Sequence, residues 1–265
     1  MARTISSSLS GILQELELER PLLVTTEMLS DLKYKYGISS PVKTIAYRLR
    51  SSGWLLPTDR KGVWEFIPAE VAGVYSSYDP LLCLRSFLIK YPDTICGLTF
   101  QTAAWLYGDS NRIPSNLDVS VQDYKISRLL KGHAYVSVFD PRLPYQYISD
   151  VPVLSRESVL IHMIVKPSSV PSWASVPEWL PDFCIDISVD NILIELMNRP
   201  QSVVQRFAYL VQGVRPDIAE EILKDLTPKN TAWFGDRKQA QRFDKRFLVA
   251  DSLLPFDPRK MESRI

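Results

Sequence analysis

Carboxylates, histidines and thiols are the side chains with which this chain would do chemistry, and their spacing provides for little of it. Gly108 is followed by Ser115-Asn116-Leu117-Asp118-Val119-Ser120-Val121, the outline of a strand that holds divalent metal when two carboxylates stand at i and i+2. Asn116 and Ser120 occupy both alternate positions around Asp118. Paired hard-oxygen ligands are lacking, so no two-metal site follows, and Asp118 reads as a solvent-facing residue of a structural strand. Asp186-Ile187-Ser188-Val189-Asp190 reads as a second short acidic strand, at a solvated edge. His133 follows Gly132 in a turn, and His162 lies within an apolar helix, where a hydrogen-bonded core or interface histidine is the commoner state. Cys83, Cys96 and Cys184 are widely spaced, which suggests neither a disulfide framework nor a zinc site but buried thiols in a reducing cytosol. No G-x-S-x-G, Walker loop, H-E-x-x-H or G-x-G-x-x-G occurs. The chain reads as a protein without a catalytic set, cofactor or metal.

Chemistry toward nucleic acid is better provided for. A helix opening at Ser40-Pro41 and closed by Gly53 puts Val42, Ile45, Ala46 and Leu49 on one face and Lys43, Thr44, Tyr47, Arg48, Arg50 and Ser51 on the other. Such a helix fits the major groove, where Lys, Thr, Tyr and Arg donate to base edges, and its N-terminus favours a phosphate. Ser40, Lys43, Thr44, Tyr47, Arg48 and Arg50 are the candidate base readers, and Arg60 and Lys61 the candidate contacts to the backbone or minor groove. From Lys33 to Lys61 the cations Lys33, Lys35, Lys43, Arg48, Arg50, Arg60 and Lys61 face the single acid Asp59, while the whole chain carries only +1. A small basic footprint on a near-neutral body suits recognition of a limited site and argues against indiscriminate coating of nucleic acid. The competing use of such a module is docking to another protein, with its charges solvated.

Local signals predict the elements that position these side chains. Leu9, Ile12, Leu13 and Leu16 share one helical face within Ser6 to Glu19. Thr25-Thr26 before Glu27-Met28-Leu29 is an N-cap followed by an acidic first turn, and that helix stops at Gly37. After a three-residue turn, Ser40-Pro41 is the N-cap and N1 signature of the reading helix, and Gly53 closes it. Residues 54–57 and 63–67 read as strands of a hairpin with cations at its tip. The whole is a winged helix-turn-helix.

At 265 residues and 46% hydrophobic, the chain suffices for two domains, an α+β arrangement in which residues 1–75 are the winged helix and 76–265 a larger mixed domain. In the second domain helices are predicted at 80–90, 99–107, 155–166, 202–212 and 216–225, and strands at 117–121, 134–139 and 183–189. Nineteen prolines stand against ten glycines, and the seven between Pro141 and Pro181 point to a loop-rich region with rigid turns. No run of eighteen apolar residues occurs, which predicts a soluble cytoplasmic protein. A second basic stretch carries Lys229, Arg237, Lys238, Arg242, Lys245 and Arg246 among Trp233, Phe234, Phe243 and Phe247. Docking of the rings on the body with wet charges is the favoured reading, and a nucleic-acid or toxin surface the alternative.

Four stretches together resemble the AbiEi-type antitoxins of bacterial type IV, or abortive-infection, toxin–antitoxin operons. They are Arg48-Leu49-Arg50-Ser51-Ser52-Gly53-Trp54-Leu55 with the Arg60-Lys61-Gly62-Val63-Trp64 wing; Thr102-Ala103-Ala104-Trp105-Leu106-Tyr107-Gly108; Val153-Leu154-Ser155-Arg156-Glu157-Ser158-Val159-Leu160; and Gln205-Arg206-Phe207-Ala208-Tyr209-Leu210 with Gly213. The resemblance implies an N-terminal domain that represses its own operon by binding inverted repeats in duplex DNA. It further implies a C-terminal domain that neutralises a nucleotidyltransferase-like toxin, in the family generally without a stable complex. Two other readings compete. One is a plain transcription factor whose C-terminal domain senses a ligand or oligomerises; the other is an enzyme that modifies the toxin or a nucleotide through Asp118 or Asp186.

Overall fold

A computed structural model of the protein describes residues 9–71, 79–130, 132 and 134–262. The chain divides into two compact units, residues 1–94 and 95–265. The boundary expected near 75 falls within 72–78, outside the described residues. The division comes later because the helix Leu82–Lys90, assigned from sequence to the second domain, belongs to the first unit.

In that unit, α1 (Ser10–Glu19), β1 (Leu23–Thr25), α2 (Thr26–Lys35), α3 (Val42–Ser51), β2 (Leu55–Pro57) and β3 (Val63–Phe66) precede α4 (Leu82–Lys90). The three strands form an antiparallel sheet in the order β1-β3-β2. Three helices followed by a hairpin, with a strand between the first two, make a winged helix. Its core gathers Ile12, Leu13 and Leu16 of α1, Leu29 of α2, Ile45, Ala46 and Leu49 of α3, and Trp54, Leu55 and Phe66 around the wing. Each such aliphatic side chain contributes about 1.5–3 kcal/mol by leaving water. The predicted cap is present, since Thr25 Oγ1 accepts from Met28 N–H at 3.2 Å. Three local expectations change. The turn between α2 and α3 runs from Tyr36 to Pro41, longer than the three residues read from sequence. Pro41 itself, extended at φ −60° and ψ 146°, is the N-cap of α3, so Ser40 lies outside the helix. Strand β1 was not foreseen, because three residues are too few to show alternation.

The second unit is built on a mixed five-stranded sheet. Its strands are β4 (Cys96–Leu98), β5 (Leu117–Val121), β6 (Ala134–Val138), β7 (Gln146–Ile148) and β8 (Val151–Val153), in the order β6-β5-β4-β8-β7. Helices α5 (Phe100–Leu106) and α6 (Tyr124–Leu130) both pack against β5, which is buried at all five positions. Asp118 is therefore 3% exposed rather than facing solvent. A strand inside a sheet, under helices, hides the polar alternates that sequence reading places in water. After β8 come α7 (Arg156–Val165), α8 (Val176–Phe183), α9 (Val189–Leu196), α10 (Gln201–Val211) and α11 (Pro216–Asp225). A small sheet follows, β9 (Ala232–Phe234), β10 (Arg242–Asp244) and β11 (Val249–Asp251), in the order β10-β11-β9.

The strand expected at 183–189 does not form. Phe183 is the last residue of α8, Ile185 and Asp186 lie in a turn, and Val189 opens α9. The apolar alternation there straddles a helix end and a loop. The proline-rich stretch likewise folds into two short 3₁₀ turns, 167–169 and 173–175, followed by α8. Pro177 fits because it sits in the first turn of α8, where the missing N–H is not needed.

Side chains from the sequence-singled stretches tie these elements together. Arg156 pairs with Asp109, and its guanidinium lies 4.4 Å from the Tyr107 ring centroid. Glu157 Oε1 accepts from Ser188 N–H at 2.9 Å. Gln205 Nε2 donates to the carbonyl of Phe247 at 2.8 Å, and the Tyr209 hydroxyl to Asp251 at 3.1 Å. Gly213 leaves space that a Cβ would deny, since one built there would collide with the carbonyl oxygens of Pro258 and Met261. Among the described residues no helix is long and apolar enough to cross a membrane.

Candidate nucleic-acid interface

Helix α3 presents its charged side outward because Ile45, Ala46 and Leu49 anchor the other side in the core. Lys43, Arg48 and Arg50 are exposed and Tyr47 is 69% exposed, while Ser40 and Thr44 are half-buried. Among the described residues none of Lys43, Arg48 and Arg50 enters a salt bridge. Exposed and outside those salt bridges, these cations are open to an anionic partner.

Between α3 and the wing runs a groove of about 730 Å³, lined by Lys43, Tyr47, Arg50, Thr58, Lys61 and Lys90 among others. Lys90, at the end of α4, adds a cation that sequence reasoning assigned to the other domain. Nothing local to the wing signals it; its proximity is a consequence of α4 packing on β3. Glu27 also lines the groove, its carboxyl held below the usual range first by its own backbone N–H and then by Thr25. The turn of the wing is tight: Gly62 has φ +86°, and Thr26 Oγ1 donates to its carbonyl at 3.2 Å. A Cβ on Gly62 would meet Thr26 Oγ1 as well as the backbone strain.

The two wing cations differ. Lys61 is exposed. Arg60 has a side chain only 13% exposed, pairs with Asp59 at 3.3 Å, and lies 5.2 Å from the Phe87 ring centroid. Asp59 in turn accepts from the Ser86 hydroxyl at 3.0 Å and the Cys83 thiol at 3.5 Å. Arg60 thus faces α4 in this structure rather than the outside of the wing. Lys35 is engaged too, donating to Glu15 at 2.6 Å. With Lys33 half-buried on α2, the exposed basic footprint narrows to Lys43, Arg48, Arg50, Lys61 and Lys90.

The second basic stretch meets a different fate. Lys229, Arg237 and Lys238 are exposed, but Arg242 donates to Asp251 at 2.8 Å and Arg246 pairs with Glu220. Phe234 and Phe247 are fully buried, and Phe243 is 47% exposed. The stretch is largely a docked sheet.

Of the groups considered for chemistry, His162 is a core residue. Its Nδ1 lies 3.1 Å from Thr99 Oγ1 and its Nε2 3.0 Å from Ser137 Oγ, with the ring stacked on Phe139. Burial lowers its pKa to about 3. Asp118 Oδ2 accepts from Thr102 N–H at 3.1 Å and from its hydroxyl at 3.2 Å. Burial pushes its carboxyl up to about 6 against those hydrogen bonds. His133 lies outside the described residues. Cys83, Cys96 and Cys184 are free thiols, the latter two buried. Among the described residues no group of three or more His, Cys, Asp and Glu side chains is placed to hold a metal ion.

Fold and surface together define a class: a winged helix followed by a separate α+β unit. Residues 95–213 match the family model described as the AbiEi antitoxin C-terminal domain, a stretch that runs from the start of the second unit through α10 to Gly213. The match supports an antitoxin role and agrees with the resemblance read from the four stretches, three of which lie within it. A crystal structure of the RV2827C protein from Mycobacterium tuberculosis is similar in fold, with a TM-score of 0.80 at 23% identity over 95% of this chain and 94% of that one. A search of curated proteins found no match.

Proposed function

We propose that the protein is a cytoplasmic type IV antitoxin and autorepressor. The first unit reads duplex DNA, at inverted repeats in its own promoter, and the second opposes a nucleotidyltransferase-like toxin without forming a stable complex with it. The observation that carries the DNA-reading half is the outward face of α3, where Lys43, Tyr47, Arg48 and Arg50 stand exposed beside a groove to which Lys61 and Lys90 contribute. Lys43, Tyr47 and Arg48 are the base readers, with Ser40 and Thr44 at the helix start; Arg50, Lys61 and Lys90 hold the phosphate backbone. Each cation that meets a phosphate releases a counterion, so binding weakens steeply with salt.

Anisotropy titration of the full chain on labelled DNA from upstream of its own gene tests the first half. Tighter binding to that DNA than to a shuffled duplex is expected, and equal affinity would overturn the reading. Co-expression with the toxin tests the second half: the full chain carrying Lys43→Ala and Arg48→Ala should lose repression yet still rescue growth. Rescue that vanished together with DNA binding, in a variant that still folds, would mean the two activities are not divided in this way.

A further inference from the structure

Strand β6 is a sheet margin without the usual protection. Among the described residues the strands at sheet margins are β1, β2, β6, β7, β9 and β10. All but β6 are three residues long, and β2 ends in Pro57 while β10 begins at Arg242. β6 runs for five residues, Ala134-Tyr135-Val136-Ser137-Val138, with no charge, proline or glycine. Folded proteins keep such margins short or guard them with lysine, proline or a bulge, because their free N–H and C=O groups pair with any strand that reaches them.

Which groups are open follows from the strand's alternation. Phe139 N–H donates to the Val121 carbonyl on β5, so the backbone groups of Tyr135 and Ser137 also point at β5. Those of Ala134, Val136 and Val138 point away from it, and no strand lies on that side among the described residues. Along the same margin Tyr135 is 56% exposed and Val138 37%, more apolar surface than a strand left in water would carry.

We propose that β6 pairs antiparallel with β6 of a second copy of this chain, across a twofold axis at Val136, so that the two five-stranded sheets become one. In that register Val136 exchanges both hydrogen bonds with its own counterpart and Ala134 does so with Val138, about six backbone bonds in all. Tyr135 comes opposite Ser137, and Val138 is covered. Charge selects both the occupant and the direction. The strand itself brings no like charges together, Lys131 precedes it in sequence and Asp140 follows it. An antiparallel copy lays the basic end of one strand along the acidic end of the other, whereas a parallel copy would set like beside like. The contact also closes: it consumes β6 in both copies and leaves the three-residue β7 at each margin, so assembly stops at two. Two strands of this length lie at the small end of specific interfaces, and the dimer is correspondingly a reversible one.

Sedimentation velocity of the full chain over about 1–200 µM, in about 0.5 M salt to strip nucleic acid, tests this. The mass should rise from 30.3 kDa toward twice that value, with a Kd below about 100 µM. Val138→Lys puts a guarding charge on the margin at an exposed position and should weaken pairing by about tenfold or more, with the circular dichroism spectrum and urea midpoint unchanged. Adding Ala134→Glu to that variant sets a carboxylate opposite the new lysine in the antiparallel register alone, and should recover about threefold or more of the loss. A chain that stays monomeric throughout would leave the margin to a strand of some other protein and overturn the self-pairing. Undiminished pairing in Val138→Lys, or no recovery in the double variant, would overturn it as well. Because mass is read without DNA or toxin, these outcomes are distinguishable from failure of operator binding or of rescue.

Discussion

Two stretches of this chain, 33–61 and 229–246, have nearly the same ingredients, cations interleaved with aromatics, and the fold uses them in opposite ways. On α3 the cations Lys43, Arg48 and Arg50 project from a helix whose other side is in the core, with no carboxylate engaging them among the described residues. In the second stretch the register of β10 against β11 sets Arg242 directly opposite Asp251, and Arg246 meets Glu220. The difference teaches that a run of cations stays open to an anionic partner only where the fold brings no acid within reach. Lys35 and Arg60 make the same point within the first stretch, since Glu15 and Asp59 engage them.

The comparison breaks most visibly at Asp251, which is fully buried and also accepts from Leu253 and Leu254 N–H. Arg242→Ala strips that carboxylate of its charged partner and should cost about 3–5 kcal/mol of stability in urea titrations, without changing the operator affinity of the folded protein. A loss below about 1 kcal/mol would mean that Arg242 is a surface cation after all.

Acid should next separate two buried groups. His162 has its pKa lowered from 6.5 to about 3, so between those values the unfolded chain holds a proton that the folded chain lacks, and acidification destabilises. Asp118 is raised from 3.8 to about 6, so between those values the folded chain holds the extra proton, and acidification stabilises. The two slopes oppose one another from about pH 6 to 4. Asp118→Asn removes the stabilising one, and its urea midpoint should fall between pH 6 and 4 more steeply than that of the wild type, by up to about 1.4 kcal/mol per pH unit. Parallel profiles would show that Asp118 is not the group titrating.

On the DNA side, Lys43→Ala and Arg48→Ala should each weaken operator binding by about 1–3 kcal/mol while leaving thermal stability nearly unchanged. Unaltered affinity in both would dismiss α3 as the reader. The wing sharpens the contrast on a smaller scale. Lys61→Ala should reduce the slope of log affinity against log salt by about one, whereas Arg60→Ala should leave that slope almost intact and cost about 1 kcal/mol of stability instead. At the far end of the scale, Arg237→Ala with Lys238→Ala should change neither operator affinity nor stability by more than about 0.5 kcal/mol. A larger loss of DNA binding would restore the second stretch as a nucleic-acid surface.

The winged helix was legible because its signals are local. The hydroxyl cap at Thr25, the apolar face of α3 and the strands flanking Gly62 each occupy a few consecutive residues. In the second unit β5 and α11 were placed to the residue, yet the environment of β5 was misjudged, since Leu-Asp-Val-Ser-Val does not record that α5 and α6 cover it. Residues 183–189 alternate as a strand would, and only the packing of Trp179, Leu180 and Phe183 discloses that α8 ends there. The candidate readers on α3 came from periodicity, whereas the diversion of Arg60 and the arrival of Lys90 depend on α4, which lies beyond any local window.

That grip of α4 on the wing bears on how such proteins can be reassembled by recombination. A crossover near residue 75 transfers α1–α3 and β1–β3 complete, yet leaves behind the Ser86 hydroxyl that holds Asp59 and the ring beneath Arg60. The recipient gains a winged helix whose wing hangs from its hairpin alone. An exchange beyond α4 moves the wing with its support, so the unit that must be inherited whole is longer than the winged helix it contains.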